Sequence, residues 1–226
     1  MFILKKIYGY LHSLMTPLDE RGEPSGGYYE STIRRRVASM VEGIPGPLAD
    51  VGCGEGLFLG ILAESVRRYP VYAVDIDKEI LKKTRGRLKK KGIKNVELIE
   101  ASAEDLPFGD RTMDVVTLLN IVLNIETTER LKRILSELAR VLKDDGVLIM
   151  DYRSSRNRLI SLLYKYTRLY DGSVASVVTR SACLMADIAR ETGFLVEEEI
   201  NASGFLPKLS PAVILKLKKI EGRKGK

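Results

Sequence analysis

Tryptophan and glutamine are absent from this 226-residue chain, histidine occurs once and cysteine twice. Cys53 and Cys183 belong to no CxxC pair and have no ligand cluster around them. That excludes a disulfide framework and a zinc centre and makes a reducing cytoplasm the expected setting. His12 lies among apolar neighbours and reads as packing. No apolar run approaches the roughly 18 residues of a membrane-spanning helix. The MFILKK start is followed by neither a long apolar core nor a small-residue cleavage site, so no export signal is expected. There is no internal repeat, and the basic GRKGK end is the one low-complexity stretch.

What is present suits a globular protein: apolar residues make up 45% of the chain and charged residues 30%. The length fits one domain with modest additions. The net charge of +7 is unevenly placed. Residues 205–226 carry seven Lys or Arg against Glu221, and residues 152–180 carry six against Asp171. Such segments are usually solvated surface, although a basic surface also attracts anionic partners.

The chain alternates between apolar runs and helical periodicity. Two helices are expected at 3–15 and 28–41, separated by the DERGEPSGG loop. A strand at 48–51 enters a glycine-rich turn and a helix at 57–67. Strands follow at 71–74, 96–100, 113–120 and 146–151, with helices at 78–91 and 128–142 between them. Near-continuous apolar strands alternating with helices imply a parallel sheet with right-handed crossovers. A helix at 180–192, ended by Gly193, and strands at 194–201 and 212–218 complete the pattern with a hairpin at the sheet edge.

Asp50-Val51-Gly52-Cys53-Gly54-Glu55-Gly56 places three alternate glycines directly after a buried strand and before a helix. At the carboxyl end of a strand in a doubly wound sheet, that is where ligands bind. A dinucleotide fingerprint would need glycine where Leu57 stands, which disfavours a nicotinamide oxidoreductase. An acidic residue, Asp50, two positions before the first glycine suits a cationic ligand such as an ammonium or a sulfonium, and so points to S-adenosylmethionine. Asp75, at the end of the next strand, is placed to accept hydrogen bonds from both ribose hydroxyls. Cys53 reads as a small filler inside the turn.

Through DVGCGEG (50–56), VDI (74–76), ASAEDLPF (101–108), MDVVTLLNIVLN (113–124) and RVLKDDGVLIMDY (140–152), the sequence resembles the class I S-adenosylmethionine-dependent methyltransferases. Its resemblance is to the small-molecule type of quinone-biosynthesis enzymes, and it covers roughly residues 45–218. It implies an α/β, Rossmann-like, doubly wound seven-stranded sheet, mostly parallel with an antiparallel edge strand and helices on both faces. The resemblance marks a methyltransferase domain at 45–218, and the pattern of the remaining segments reads as an N-terminal helical cap at 1–44, a helical lid insertion at 152–180 and a basic tail at 219–226. By motif position, Asp50 and the turn Gly52, Cys53, Gly54 and Gly56 would hold the methionine part. Asp75 would hold the ribose, Ile76 one adenine face, and Ser102 with Ala103 the adenine edge. Asn120 would lie beside the methionine part or the sulfonium.

Two positions depart from the family pattern. Ser102 stands where many relatives carry aspartate, leaving Glu104 or Asp105 to meet the adenine amino group. Asn124 stands where many have histidine, which excludes a histidine base there. Methyl transfer is an in-line displacement that needs alignment and exclusion of water more than a catalytic side chain. The lid segment interleaves Leu159, Leu163, Tyr166 and Tyr170 with Arg156, Arg158, Lys165 and Arg168, which favours a small-molecule or amphiphilic, lipid-like acceptor. Tyr28 and Tyr29 are candidates to close over the cofactor. No nucleic-acid partner is expected, for want of an RNA-binding module or an NPPY-like motif. A noncatalytic S-adenosylmethionine-binding partner subunit is the alternative that these residues leave open.

Overall fold

The computed structural model describes residues 28–66, 68–156, 177–202 and 212–220. Helix α1 (Tyr28–Val41) precedes strand β1 (Leu48–Val51), and the alternation continues with α2 (Leu59–Ser65), β2 (Val71–Asp75), α3 (Lys78–Lys91) and β3 (Val96–Glu100). Strand β4 (Met113–Leu118) leads through a single 3-10 turn (Val122–Asn124) to α4 (Thr128–Val141) and β5 (Leu142–Ser154). A short β6 (Thr179–Arg180), α5 (Ala182–Glu191), β7 (Phe194–Asn201) and β8 (Ala212–Lys219) follow.

Local chemistry sets the helix ends. The Asp77 carboxylate caps α3 by accepting from the amides of Glu79 and Ile80, and Gly92 closes that helix with φ of 68°. Thr127 and Ser181 cap α4 and α5 in the same way. Ser181 is also why α5 starts at Ala182 rather than at 180: the two residues before the cap extend into β6.

The strands run in the order β3-β2-β1-β4-β5-β8-β7, with β6 beside β5. Pairings among β1 to β5 are parallel, and β8 is antiparallel to both β5 and β7. The antiparallel member of the edge hairpin is therefore one strand in from the edge. Burial explains the choice. Along β8, AVILKLKK is almost wholly buried, whereas Leu195 to Glu199 of β7 are exposed, so the more apolar strand takes the interior position.

Alternate residues of each strand face opposite layers. Val51, Leu118, Leu148 and Met150 pack under α4 and α5, while Leu48, Val71, Val115 and Ile149 pack under α1, α2 and α3. On α4 the stripe Leu131, Ile134, Leu135, Leu138 and Val141 is fully buried. Each such leucine contributes about 2 kcal/mol of burial.

Strand β5 is longer than its apolar run, 146–151, because its partners extend it. Leu142 pairs with Met113 and Arg153 pairs with Ala212. The lid expected at 152–180 is corrected at both ends: Tyr152 to Ser154 continue β5 and Thr179–Arg180 form β6. Arg153 pairs with both Thr179 and Ala212, so β6 takes the edge of β5 that β4 leaves after its last pair, Leu118 with Met150. The expected tail at 219 is likewise corrected, since Lys219 is 8% exposed and donates to Leu142 O at 2.6 Å. The helix expected at 3–15, His12, and lid residues 157–176 lie outside the described residues, as do the side chains of Tyr28 and Tyr29. Among the described residues, no helix is long and apolar enough to cross a membrane.

Candidate functional site

The strand order reverses between β1 and β4, and the crevice at the carboxyl ends of β1, β2 and β4 holds the sequence-expected residues. Past Val51, the amides of Gly52 and Cys53 both donate to Val74 O, at 2.7 and 3.0 Å. That folds the turn over the end of β2. Asp75 locks it from the other side: Oδ2 accepts from the Gly54 amide at 2.8 Å and Oδ1 from the Asp77 amide at 3.0 Å. The Thr84 hydroxyl of α3 lies 2.7 Å from Gly54 O.

Two of the glycines are dictated by contact as well as by backbone. Gly52 has φ of 76°, and a Cβ there would lie 2.3 Å from Ile121 Cδ1. Gly56 has φ of 75°, and its Cβ would lie 2.7 Å from Thr84 Cγ2. The turn is thus clasped between the loop after β4 and helix α3.

Asp50 lies behind this turn, 2% exposed, with the Thr117 hydroxyl donating to Oδ1 at 2.7 Å. Burial raises its pKa from 3.8 to about 7; the Thr117 bond opposes the rise and the Asp75 charge adds to it. No cationic side chain answers it among the described residues. A buried carboxyl beside a second carboxylate and without a cation is stabilised by a ligand that brings positive charge. Cys53 is buried, and desolvation, followed by the charges of Asp50 and Asp75, pushes its thiol well above the ordinary value. That is the behaviour of a filler and not of a nucleophile.

Beside the turn is a cavity of about 260 Å³, and six expected residues line it: Gly52, Asp75, Ile76, Ser102, Ala103 and Glu104. Ile76 is 69% exposed at the lip. Ser102 organises a tight turn, its Oγ accepting from the Glu104 amide and its carbonyl from the Asp105 amide, each at 3.1 Å. Glu104 is already engaged: Arg130 and Arg133 of α4 donate to its two oxygens, each at 2.8 Å. The bonds from Arg133 and Arg130 hold its carboxyl below the usual range. Asp105 is exposed and does not line the cavity.

Asp50, Cys53, Gly54, Gly56 and Asn120 do not line the cavity; the first four build the turn from behind. Asn120 lies two residues past the end of β4 with φ of 57°. Its amide donates to Asp151 Oδ1 at 2.6 Å, and its side-chain oxygen accepts from Arg153 at 3.0 Å. Arg153 also pairs with Asp151 Oδ2, with the two side chains 8% and 0% exposed. Sequence reasoning missed Asp151 and Arg153, whose alternation on a single strand face was the available signal. It also missed Ile121, Asn124, Ile125 and Arg130 as cavity-lining residues.

Comparison with known proteins bears on this crevice. Residues 49–150 match the family model described as "Methyltransferase domain". The ubiquinone/menaquinone biosynthesis C-methyltransferase UbiE of Campylobacter jejuni is 34% identical over 110 residues, 46% of this chain and 43% of that protein. The corresponding protein of Pseudomonas putida is 27% identical over 170 residues, covering 71% of this chain and 63% of that one. In both cases the match spans less than two thirds of the relative's length. Among solved structures, magnesium protoporphyrin IX methyltransferase (ChlM) from Synechocystis PCC 6803 with bound SAH aligns with a TM-score of 0.67 at 20% identity, over 84% of this chain and 83% of that chain. A SAM dependent methyltransferase from Aquifex aeolicus aligns at 0.61 and 20% identity, over 81% and 88%. Over residues 49–150 the chain is thus similar to the family described as "Methyltransferase domain", and its sheet shares the fold of these solved structures, with the glycine turn and the two strand-end carboxylates at its crevice.

Proposed function

We propose that this chain transfers a methyl group from S-adenosylmethionine to a small, amphiphilic acceptor, releasing S-adenosylhomocysteine. The observation that carries the reading is Asp50, a buried carboxyl without a cation among the described residues, placed directly behind a glycine cradle. Bound S-adenosylmethionine supplies a methyl group on a positively charged sulfur. Asp50 and the Gly52 to Gly56 turn favour the methionine end by charge and by close backbone approach. Asp75 keeps lone pairs for the ribose hydroxyls after accepting from Gly54 and Asp77. Ile76 offers an apolar face to adenine, with Ser102 and Ala103 along its edge. Asn120 acts from the sulfonium side, held by Asp151 and Arg153. Glu104, fixed in the cavity wall by Arg130 and Arg133, likewise keeps lone pairs that can accept from the adenine amino group.

In an in-line displacement the chain's work is alignment and exclusion of water, and no side chain is assigned as a base. The quinone-type acceptors named for the relatives support an amphiphilic acceptor. A cytoplasmic location is supported by two unpaired cysteines, Cys53 buried and Cys183 exposed.

Calorimetric titration with S-adenosylhomocysteine, with NAD as control and Asp75→Ala beside the wild type, tests the reading. Micromolar binding that the substitution weakens about tenfold, about 1.4 kcal/mol, is expected. Absence of binding by the folded protein, or preference for NAD, overturns it. Transfer of labelled methyl to a demethylated quinone separates an enzyme from a subunit that only binds the cofactor.

A further inference from the structure

β6 and the two residues before it lie against the loop that follows β4. The Val178 amide donates to Leu123 O at 2.7 Å. The Arg180 guanidinium donates to Val122 O at 2.9 Å and, through its other terminal nitrogen, to Ile125 O. The Ser155 amide donates to Arg180 O at 2.9 Å, tying β6 back to the end of β5. The three carbonyls of the loop belong to the 3-10 turn Val122–Asn124 and its cap Ile125. From the same short stretch, Ile121, Asn124 and Ile125 line the cavity. Ile121 is also the side chain that lies over Gly52.

A 3-10 turn of three residues has little stability of its own. The shape of this wall therefore comes from what grips it. Arg180 is 4% exposed, and carbonyl oxygens, with no carboxylate among the described residues, receive its N–H groups. Burying a cation without a countercharge is costly, and an apolar side chain would fill the same volume more cheaply. The one service here that an apolar side chain cannot perform is to bridge two carbonyls three residues apart, which the planar fork of a guanidinium does.

We propose that Arg180 is a positioning residue for the cofactor cavity: by holding the carbonyls of Val122 and Ile125 it sets Ile121, Asn124 and Ile125 against the glycine turn. Arg180 does not line the cavity and acts through that wall. The inference rests on the reading of the cavity as the S-adenosylmethionine site.

The test is calorimetric titration of the full chain with S-adenosylhomocysteine for the wild type, Arg180→Met and Arg180→Lys, with a melting curve for each. Lysine keeps the charge but reaches one carbonyl, so that variant carries the test if Arg180→Met does not fold. The expected result is an affinity loss of about fivefold or more in protein that is folded at the titration temperature. A merely structural role would lower the melting temperature and leave the affinity of the folded protein unchanged, so a smaller loss overturns the proposal. Amide hydrogen exchange adds a second readout. Saturating S-adenosylhomocysteine is expected to slow exchange at Val178, outside the cavity, in the wild type, and an unchanged rate there overturns the proposal as well. If the wild type binds and the variants bind equally, Arg180 alone is misassigned. If the folded wild type does not bind, the cofactor reading fails and this inference falls with it.

Discussion

The two sides of the crevice are built differently. On the β1–β2 side, residues 50–84 hold one another through backbone amides, glycines and two carboxylates: Val74 O takes two amides, and Asp75 takes the amides of Gly54 and Asp77. On the β4–β5 side, the loop after Leu118 is held by groups far along the chain. Asp151 takes the Asn120 amide, Arg153 takes its side chain, and Arg180 takes two carbonyls. The first side is a local motif with rigid geometry. The second is a set of long-range polar contacts whose members need the whole sheet to meet, so damage there should cost stability and alignment together.

The largest expected effect breaks the local side. Gly52→Val forces a side chain onto a backbone at φ of 76° and against Ile121, and should weaken S-adenosylhomocysteine binding about 100-fold or more in calorimetric titration. Next comes the long-range side. Asp151→Ala leaves the buried Arg153 without its carboxylate, and should lower stability by about 3 kcal/mol in urea denaturation.

A third prediction returns to Asp50. Its folded pKa is raised, from 3.8 to about 7, so the folded state binds the extra proton and stability falls as pH rises through that window. Over that range the loss should be on the order of 3 kcal/mol, and Asp50→Asn should abolish it when denaturation is followed from pH 4 to 8. A cationic ligand should reduce the same pH dependence. The smallest effect sharpens the contrast: Glu104 faces Arg130 and Arg133, which are half exposed, and Glu104→Gln should change S-adenosylhomocysteine affinity by less than about threefold.

Legibility followed the same division. The strands at 48–51, 96–100 and 194–201 and the helices at 28–41 and 78–91 coincide with their sequence patterns; in β1 the signal is four buried residues in a row, and around α3 it is the Asp77 cap and the Gly92 stop. The cradle was legible for a similar reason: alternate glycines after a buried strand have few other uses. Asn120 was placed in the site region, but its grip by Arg153 was not visible. Nothing near position 120 encodes a partner 33 residues away, and Arg153 lay in a segment whose composition suggested a helix. Glu104 lines the cavity as expected of an adenine neighbour, but the arginines that fix it come from α4, at a separation of 26 and 29 residues, and nothing beside position 104 encodes them.

The sequence by itself determined the alternating elements, the glycine cradle and the two carboxylates that make a cation welcome, since each depends on residues adjacent in the chain or on the period of a single strand or helix. Tertiary structure decided the rest. It set β8 inside β7, carried β5 on to Ser154, raised the pKa of the Asp50 carboxyl, and put Arg180 behind the cavity wall, on the carbonyls of Val122 and Ile125. Those outcomes come from competition for buried space and from polar groups that must find partners once water is gone, and both are settled only when distant segments pack together.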